Sequence, residues 1–336
     1  MNTSRTLPCR TLLKALSAKP APFPKHIDKF GNPRWLGWRG FHHAGSQMKD
    51  EAGRLTMELD ADDLRSLQAI IAESRGGRIS SALFDGSRVW IKRYDAQSRP
   101  FAKRLHSFIS PFLPYPFLRS PKETNPAGMA EREKRKAQAF LAAGFEVPRI
   151  VYGEGPVLVL SDVAPIIQDR LKCLRKENAQ EHDELLIHCA HALGKAHAKG
   201  LCHGRPHPRD FFQKNGVAGF LDFEEEPEAV MPLAVAQARD VWLLFFQITA
   251  QARFSKTPHR ALAAYRAAAP TDVVPELHRI VGFFDLPSRR SGCFVMSFWV
   301  AMDGGFCRRW NFSMQTLMRP ANQAKESDNT KRRDVP

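Results

Sequence analysis

Two aspartates, Asp210 and Asp222, bracket the stretch DFFQKNGVAGFLD. Asp222 ends an apolar run and is followed by Phe223, a setting in which a carboxylate is seldom plain surface. Hard carboxylate oxygens there suit a divalent cation or a metal-bound phosphate. Upstream, Lys92 lies in a strand that alternates, with Val89 and Ile91 on one face and Trp90 and Lys92 on the other. Glu133 falls on the inward stripe of a later helix, where a buried carboxylate needs a partner. Glu131 is the alternative on the same helix. Arg205 precedes both aspartates. Its guanidinium stays protonated and cannot accept a proton. His197 and His207 lack a third ligand for a metal and read as structural.

The elements that must position these groups are legible. RISSALFDGSRVWIKRY reads as two strands joined at Asp85-Gly86-Ser87. AEREKRKAQAFLAAG has Ala130, Glu133, Ala137, Phe140 and Leu141 on one helical stripe and closes at Gly144. VPRIVYGEG and PVLVLSDV form a second hairpin. DELLIHCAHALGKAHAKG is a long helix, followed by a loop, a third hairpin turning at Asn215-Gly216, and further helices. The pair Gly76-Gly77 is either an ordinary turn or a loop whose backbone N–H groups approach phosphates.

The order and spacing of these segments resemble the protein-kinase-like superfamily. Within it the chain is most similar to the bacterial lipopolysaccharide kinases, which phosphorylate Kdo or heptose sugars, and to related small atypical kinases. The resemblance runs from about Ile70 to about Gln247. It implies an α+β, protein-kinase-like two-lobed fold, with an antiparallel β N-lobe and a mainly helical C-lobe. Lys92 in VWIKRY matches the strand lysine that pairs nucleotide phosphates and a helix glutamate, here Glu133. Gly76 and Gly77 stand at the phosphate-covering loop, though they depart from G-x-G-x-x-G. Leu160 and Asp162 fall where the hinge holds adenine. His203-Gly204 is followed by Arg205, where the family has its catalytic aspartate. Asp210 stands where the family has a metal-binding asparagine, and an aspartate can replace it as an oxygen ligand. A second register, with Asp210 as base and Asn215 as ligand, conflicts with the Asn215-Gly216 turn. Asp222, in the form D-F-E, matches the magnesium aspartate. Asp240 resembles the helix aspartate that supports the catalytic loop. Glu224, Glu225 and Glu226 read as one group near the site and two on a solvated acidic turn.

The resemblance thus implies an ATP- and Mg2+- (or Mn2+-) dependent phosphotransferase. Its acceptor is a hydroxyl of a protein or of a phosphosugar or lipopolysaccharide precursor. Arg205 keeps open the alternative of a pseudokinase, a nucleotide-binding module without transfer.

Bulk properties frame this reading. Lys and Arg number 50 against 35 acids, a formal charge of +15. That excess either serves an anionic partner or is a solvated basic surface with basic tails. No helix-turn-helix or RNA-module signature supports nucleic acid. The six cysteines show no Cys-x-x-Cys or zinc-finger spacing and read as reduced thiols of a cytoplasmic protein. CFVMSFWVAM, Cys293 to Met302, is about half the ~20 residues of a membrane span. The stretch Phe101 to Glu123 mixes bases with aromatics, which fits either peripheral contact with an anionic membrane or packing between lobes. The expected layout is an extension over 1–65, an N-lobe over 66–162, a C-lobe over 163–318 and a disordered tail over 319–336.

Overall fold

Asp60 starts the first described helix, α1 (Ala61–Glu73), by accepting from the amides of Asp62 and Asp63. The computed structural model describes residues 55–74, 77–96, 114–119, 124–163, 165–214 and 216–285. Gly76, Asn215, the aromatic insert before residue 114, CFVMSFWVAM and both tails lie outside the described residues.

Strands β1 (Ile79–Phe84) and β2 (Ser87–Arg93) pair antiparallel. Asp85 and Gly86 both have positive φ, 46° and 67°. That is the two-residue turn that Asp-Gly favours, because its twist matches the strands. Ser87 is therefore already in β2, one residue tighter than the expected turn. Strands β3 (Ile150–Glu154) and β4 (Val157–Ser161) complete a four-stranded sheet of order β1-β2-β4-β3. Leu67 of α1 packs with Phe84, Val89, Ile91, Val151 and Val159 on one face. Strand alternation sends Lys92 to the opposite face, opposite Leu158 of β4. The chain joins this lobe from its first described residues: Leu55 and Met57 hydrogen-bond to Ile150.

On the Lys92 face lies α2 (Pro126–Ala142). Asn125 caps it by accepting from the Gly128 amide at 2.7 Å, and Pro126 fits the first turn, where no N–H partner is needed. Ala130, Ala137 and Phe140 of α2 join the main core with Leu158 and Leu160 of the sheet.

The helical part contains α3 (Ile167–Glu177), α4 (Ala179–Ala198), α5 (Leu233–Gln251), α6 (Thr257–Ala268) and α7 (Val273–Asp285). The helix expected from Asp183 begins earlier, at Ala179. Asn178 both ends α3 and caps α4, its side chain accepting from the Glu181 amide at 3.1 Å. Asp183 is buried, and accepts from the amides of Arg253 and Phe254 and from the Thr257 hydroxyl. Between α4 and α5 sits the hairpin β5 (Phe211–Lys214)/β6 (Val217–Phe220). The α+β class, with an antiparallel lobe followed by a mainly helical one, is as the resemblance implies.

Backbone bonds join the two parts. The Glu146 amide donates to the Ala218 carbonyl, and the Phe220 amide to the Glu146 carbonyl. Beside them Phe140 stands 5.0 Å from the Phe220 ring and 4.6 Å from Phe223. The described part of the aromatic insert, residues 114–119, packs on the helical part: Tyr115 and Phe117 lie 4.5 and 5.2 Å from Phe283 of α7. None of the described helices is long and apolar enough to cross a membrane.

Phe140 is 1 % exposed at the junction of helix, sheet and hairpin. Phe140→Ala is expected to lower unfolding stability by about 3–5 kcal/mol, the usual cost of emptying such a site. Denaturant titration checks this, and an unchanged midpoint would remove Phe140 from its place as the shared packing centre.

Candidate functional site

The Lys92 ammonium is the centre of the site. Lys92 is 6 % exposed, and a charge so buried needs close partners. Its Nζ donates to both oxygens of Glu133, at 2.9 and 2.8 Å, and to Asp222 Oδ1 at 2.8 Å. Glu224 Oε1 stands 3.2 Å away. Burial pulls the Lys92 pKa down, but Glu133, Asp222, Tyr94 and Glu224 outweigh it, and the ammonium titrates well above its ordinary range. The Tyr94 hydroxyl donates to Glu133 Oε2 from another direction. Burial, then the Glu133 charge, push the Tyr94 phenol upward, so it stays a donor.

The hairpin explains how Asp210 and Asp222 come together. Phe211 pairs with Phe220 at its open end, so the residues just outside are neighbours. The Leu221 amide donates to the Asp210 carbonyl at 3.0 Å. Asp222 has a φ of 70°, a left-handed conformation uncommon outside glycine but tolerated by aspartate. Burial raises the Asp222 pKa, yet the charge and hydrogen bond of Lys92 outweigh it and hold the carboxylate ionised. Asp210 behaves oppositely. Burial, then the Asp222 charge, push it well above the usual carboxylate range against the pull of Arg209 and Arg205. Its Oδ2 accepts from the His207 amide at 2.9 Å.

The loop before Asp210 hangs from Asp240 of α5. The His203 amide donates to Asp240 at 2.7 Å and the Gly204 amide at 2.9 Å. Gly204 has a φ of 106°, and a Cβ there would come within 2.5 Å of the Glu225 carbonyl oxygen, so only glycine fits. His203 Nε2 donates to the Leu221 carbonyl at 3.0 Å, tying the loop to the segment of Asp222. His197 Nδ1 lies 2.7 Å from the Tyr265 hydroxyl, and the His207 side chain accepts from the Arg209 amide. Burial, then Arg209 and Arg205, bring His207 down to about 4.

Lys92, Glu133 and Asp222 are therefore in direct contact. Arg205 and Asp210 border them and exchange charge effects with Asp222. The Arg205 side chain is 36 % exposed, with Nε 3.6 Å from Glu225 Oε1. Leu160 is buried and shares a cleft with Glu133, Ala137, Leu158, Asp222 and Phe223. Asp162 is exposed and accepts from Trp90 Nε1 at 2.9 Å. Gly77 leads into β1, and its neighbour Arg78 reaches Glu224. Gly76 lies outside the described residues.

Among the described residues, Glu133, Asp222 and Glu224 form a group of three acids near enough to share one cation, and the Lys92 ammonium already stands among them. One reading changes: the acids expected on a solvated turn are paired. Glu224 pairs with Arg78 and Lys92, Glu225 with Arg239 at 3.0 Å, and Glu226 with Arg135 at 2.6 Å. Sequence reasoning missed Tyr94 and Arg78. The charge complement between EREKRK of α2 and EEEPE was the available signal for the pairing.

No protein-family model matches the chain. An uncharacterised protein of Haemophilus influenzae is 23 % identical over 209 residues, 62 % of this chain and 78 % of that protein. Similar solved structures include the Rio2 kinase of Chaetomium thermophilum in an ADP/Mg2+-phosphoaspartate complex, at 18 % identity. The match covers 65 % of this chain and 74 % of that one, with a TM-score of 0.32. A MAP kinase of Leishmania major is 14 % identical over 79 % of this chain and 86 % of its own, with a TM-score of 0.30.

Asp210 supplies a pH test. Its folded pKa lies above the unfolded value, so the native state holds the extra proton. Stability from this group is present at acid pH and is lost as pH rises from the unfolded towards the folded pKa. Asp210→Asn stays neutral throughout. With divalent metal chelated, the variant should have the higher Tm at pH 7, and the gap should shrink towards pH 4. Thermal scans across that range read the outcome, and a gap independent of pH would contradict the placement of Asp210.

Proposed function

We propose that this protein is an atypical ATP- and divalent-metal-dependent phosphotransferase. The observation that carries the reading is the buried Lys92 ammonium held between Glu133 and Asp222. Lys92 would bind nucleotide phosphates, with Glu133 holding its ammonium in place. The residues present fit a hard cation: Asp222 is ionised and Asp210 adjoins it, both with oxygen donors. Mg2+ or Mn2+ bound there would neutralise phosphate charge. Gly76 and Gly77 would cover the phosphates, and the backbone at Leu160 and Asp162 would hold the adenine ring.

The proposed acceptor is a hydroxyl of a protein or of a lipopolysaccharide-type phosphosugar. Arg205 does not take its proton. Positioning and charge neutralisation supply most phosphoryl-transfer catalysis, so a site without the usual aspartate is compatible with turnover. Arg205 would stabilise the transferring phosphate, and Asp210 would be the carboxylate nearest the acceptor. Arg205 also supports a second reading, a pseudokinase that holds nucleotide without transfer. Its partners there are Glu225 and the charges of Asp222 and Asp210.

Calorimetry of purified protein is expected to show Mg-ATP binding, weakened about tenfold or more by Lys92→Ala and by Asp222→Ala, as loss of a charge-assisted contact implies. Nucleotide binding indifferent to both changes would defeat the site assignment. Transfer of labelled γ-phosphate to lipopolysaccharide, protein extract or the protein itself then tests catalysis. Wild type should transfer, Arg205→Ala should transfer less, and Arg205→Asp should not recover the loss. Absent wild-type transfer with Mg-ATP still bound selects the pseudokinase.

A further inference from the structure

Asp222 is followed by a segment with no sheet partner. Residues 221–226 belong to no helix or strand, and Glu224, Glu225, Glu226 and Glu228 crowd four acids into five positions. Left alone, such a run repels itself and its backbone carbonyls turn to water. Here one stripe of α2 grips it. Arg132 and Lys136 are one helical turn apart, on the stripe that carries Glu133 inward, and both are buried. Arg132 Nη1 donates to the Glu224 carbonyl at 3.1 Å, with Nε 3.6 Å from Glu226. Lys136 Nζ donates to the Glu225 carbonyl and to Glu228 Oε1, each at 2.8 Å. Arg135 adds two bonds to Glu226 from the exposed edge, at 2.6 and 3.0 Å.

We infer that Arg132 and Lys136 are positioning residues, a clamp that fixes the backbone just after Asp222 and so holds Asp222 against Lys92. Glu133 and the clamp share one rigid helix. The clamp therefore sets the spacing between Glu133 and Asp222, the two carboxylates on either side of the ammonium. Buried side-chain donors to backbone carbonyls do here what a neighbouring strand does elsewhere. Release of the segment lets Asp222 leave its left-handed conformation and opens Lys92 to solvent. The consequence for nucleotide rests on the proposed phosphate and metal site; the positioning of Lys92 and Asp222 does not.

The test reads Lys92 directly. Full-length protein is treated briefly with acetic anhydride below its unfolding temperature, and acetylation is measured residue by residue by mass spectrometry. Lys172, whose side chain is 68 % exposed, serves as internal reference. Lys136→Met should raise Lys92 labelling relative to Lys172 by about tenfold, the effect of losing a charged hydrogen bond. Lys136→Arg, which keeps charge and donors, should restore protection. Arg135→Gln, at a side chain 62 % exposed, should change labelling by less than about twofold, as for an exposed ion pair. Glu228→Gln leaves the carbonyl bond in place, covers the case in which Lys136→Met does not fold, and should raise labelling severalfold. Unchanged Lys92 labelling in both Lys136→Met and Glu228→Gln overturns the clamp, as does a rise that Lys136→Arg fails to reverse. Mg-ATP affinity should fall about tenfold in Lys136→Met. A wild type that binds no Mg-ATP, with Lys92 still exposed by Lys136→Met, rejects the nucleotide reading and keeps the clamp.

Discussion

A buried ammonium sets the terms for the rest of this structure. Lys92 sits where the sheet meets α2, and its charge is tolerated only because Glu133 and Asp222 touch it. Removing one partner of such a pair typically costs about 3–5 kcal/mol, since the other charge is left stranded. Glu133 in turn needs α2 in register against the sheet, and Asp222 needs the hairpin closed. Tyr94 fills a further acceptor place on Glu133, and Glu224 brings Arg78 to the edge of the cluster. The charges are therefore interlocked, and each is satisfied by a group from a different element.

Aromatic packing holds those elements at the required distance. Phe140 of α2 meets Phe220 and Phe223 of the hairpin segment, and His203 stands among the same rings. Such contacts are apolar and crowded, so α2 cannot slide without opening a cavity. Asp240 secures the neighbouring loop through two backbone amides, which leaves the Arg205 side chain half-buried beside the aspartates. Asp210 is the group held against its preference. Burial and Asp222 raise its pKa together, an arrangement that favours a proton or a cation on its oxygens.

The charge balance has a similar local logic. An excess of bases over acids suggests a surface awaiting an anion, yet much of the basic content of α2 is consumed internally. Arg132, Arg135 and Lys136 face the acids that follow Asp222. The net charge of the chain is thus a poor guide to the charge on offer at this site.

The sequence by itself determined most of the elements and much of the site chemistry. Asp85-Gly86 required a tight turn, the helical signals of DADDLRSLQAIIAES began at Asp60, and alternation in VWIKRY placed Lys92 opposite Val89 and Ile91. These signals act between neighbours in the chain, so they survive without knowledge of the fold. Glu133 and Asp222 were legible because each is a charged residue in an apolar pattern, where it needs a partner, and Lys92 through the resemblance and its place one helix upstream. The Asn178 break between α3 and α4 was a local signal too, but a continuous helical periodicity hid it. The resemblance paired Lys92 with Glu133; tertiary structure alone decided the further partners. Tyr94 and Arg78 look like ordinary polar residues in one dimension, and two of the acids Glu224 to Glu226 look like a solvated turn. Which side chains meet depends on the register of the sheet, the rotation of α2 and the closure of the hairpin. Those are set jointly by the packing of Phe140, Phe220 and Phe223, residues far apart in sequence. The need to pair a buried charge is written in the chain; the distance at which it is paired is a property of the packed core.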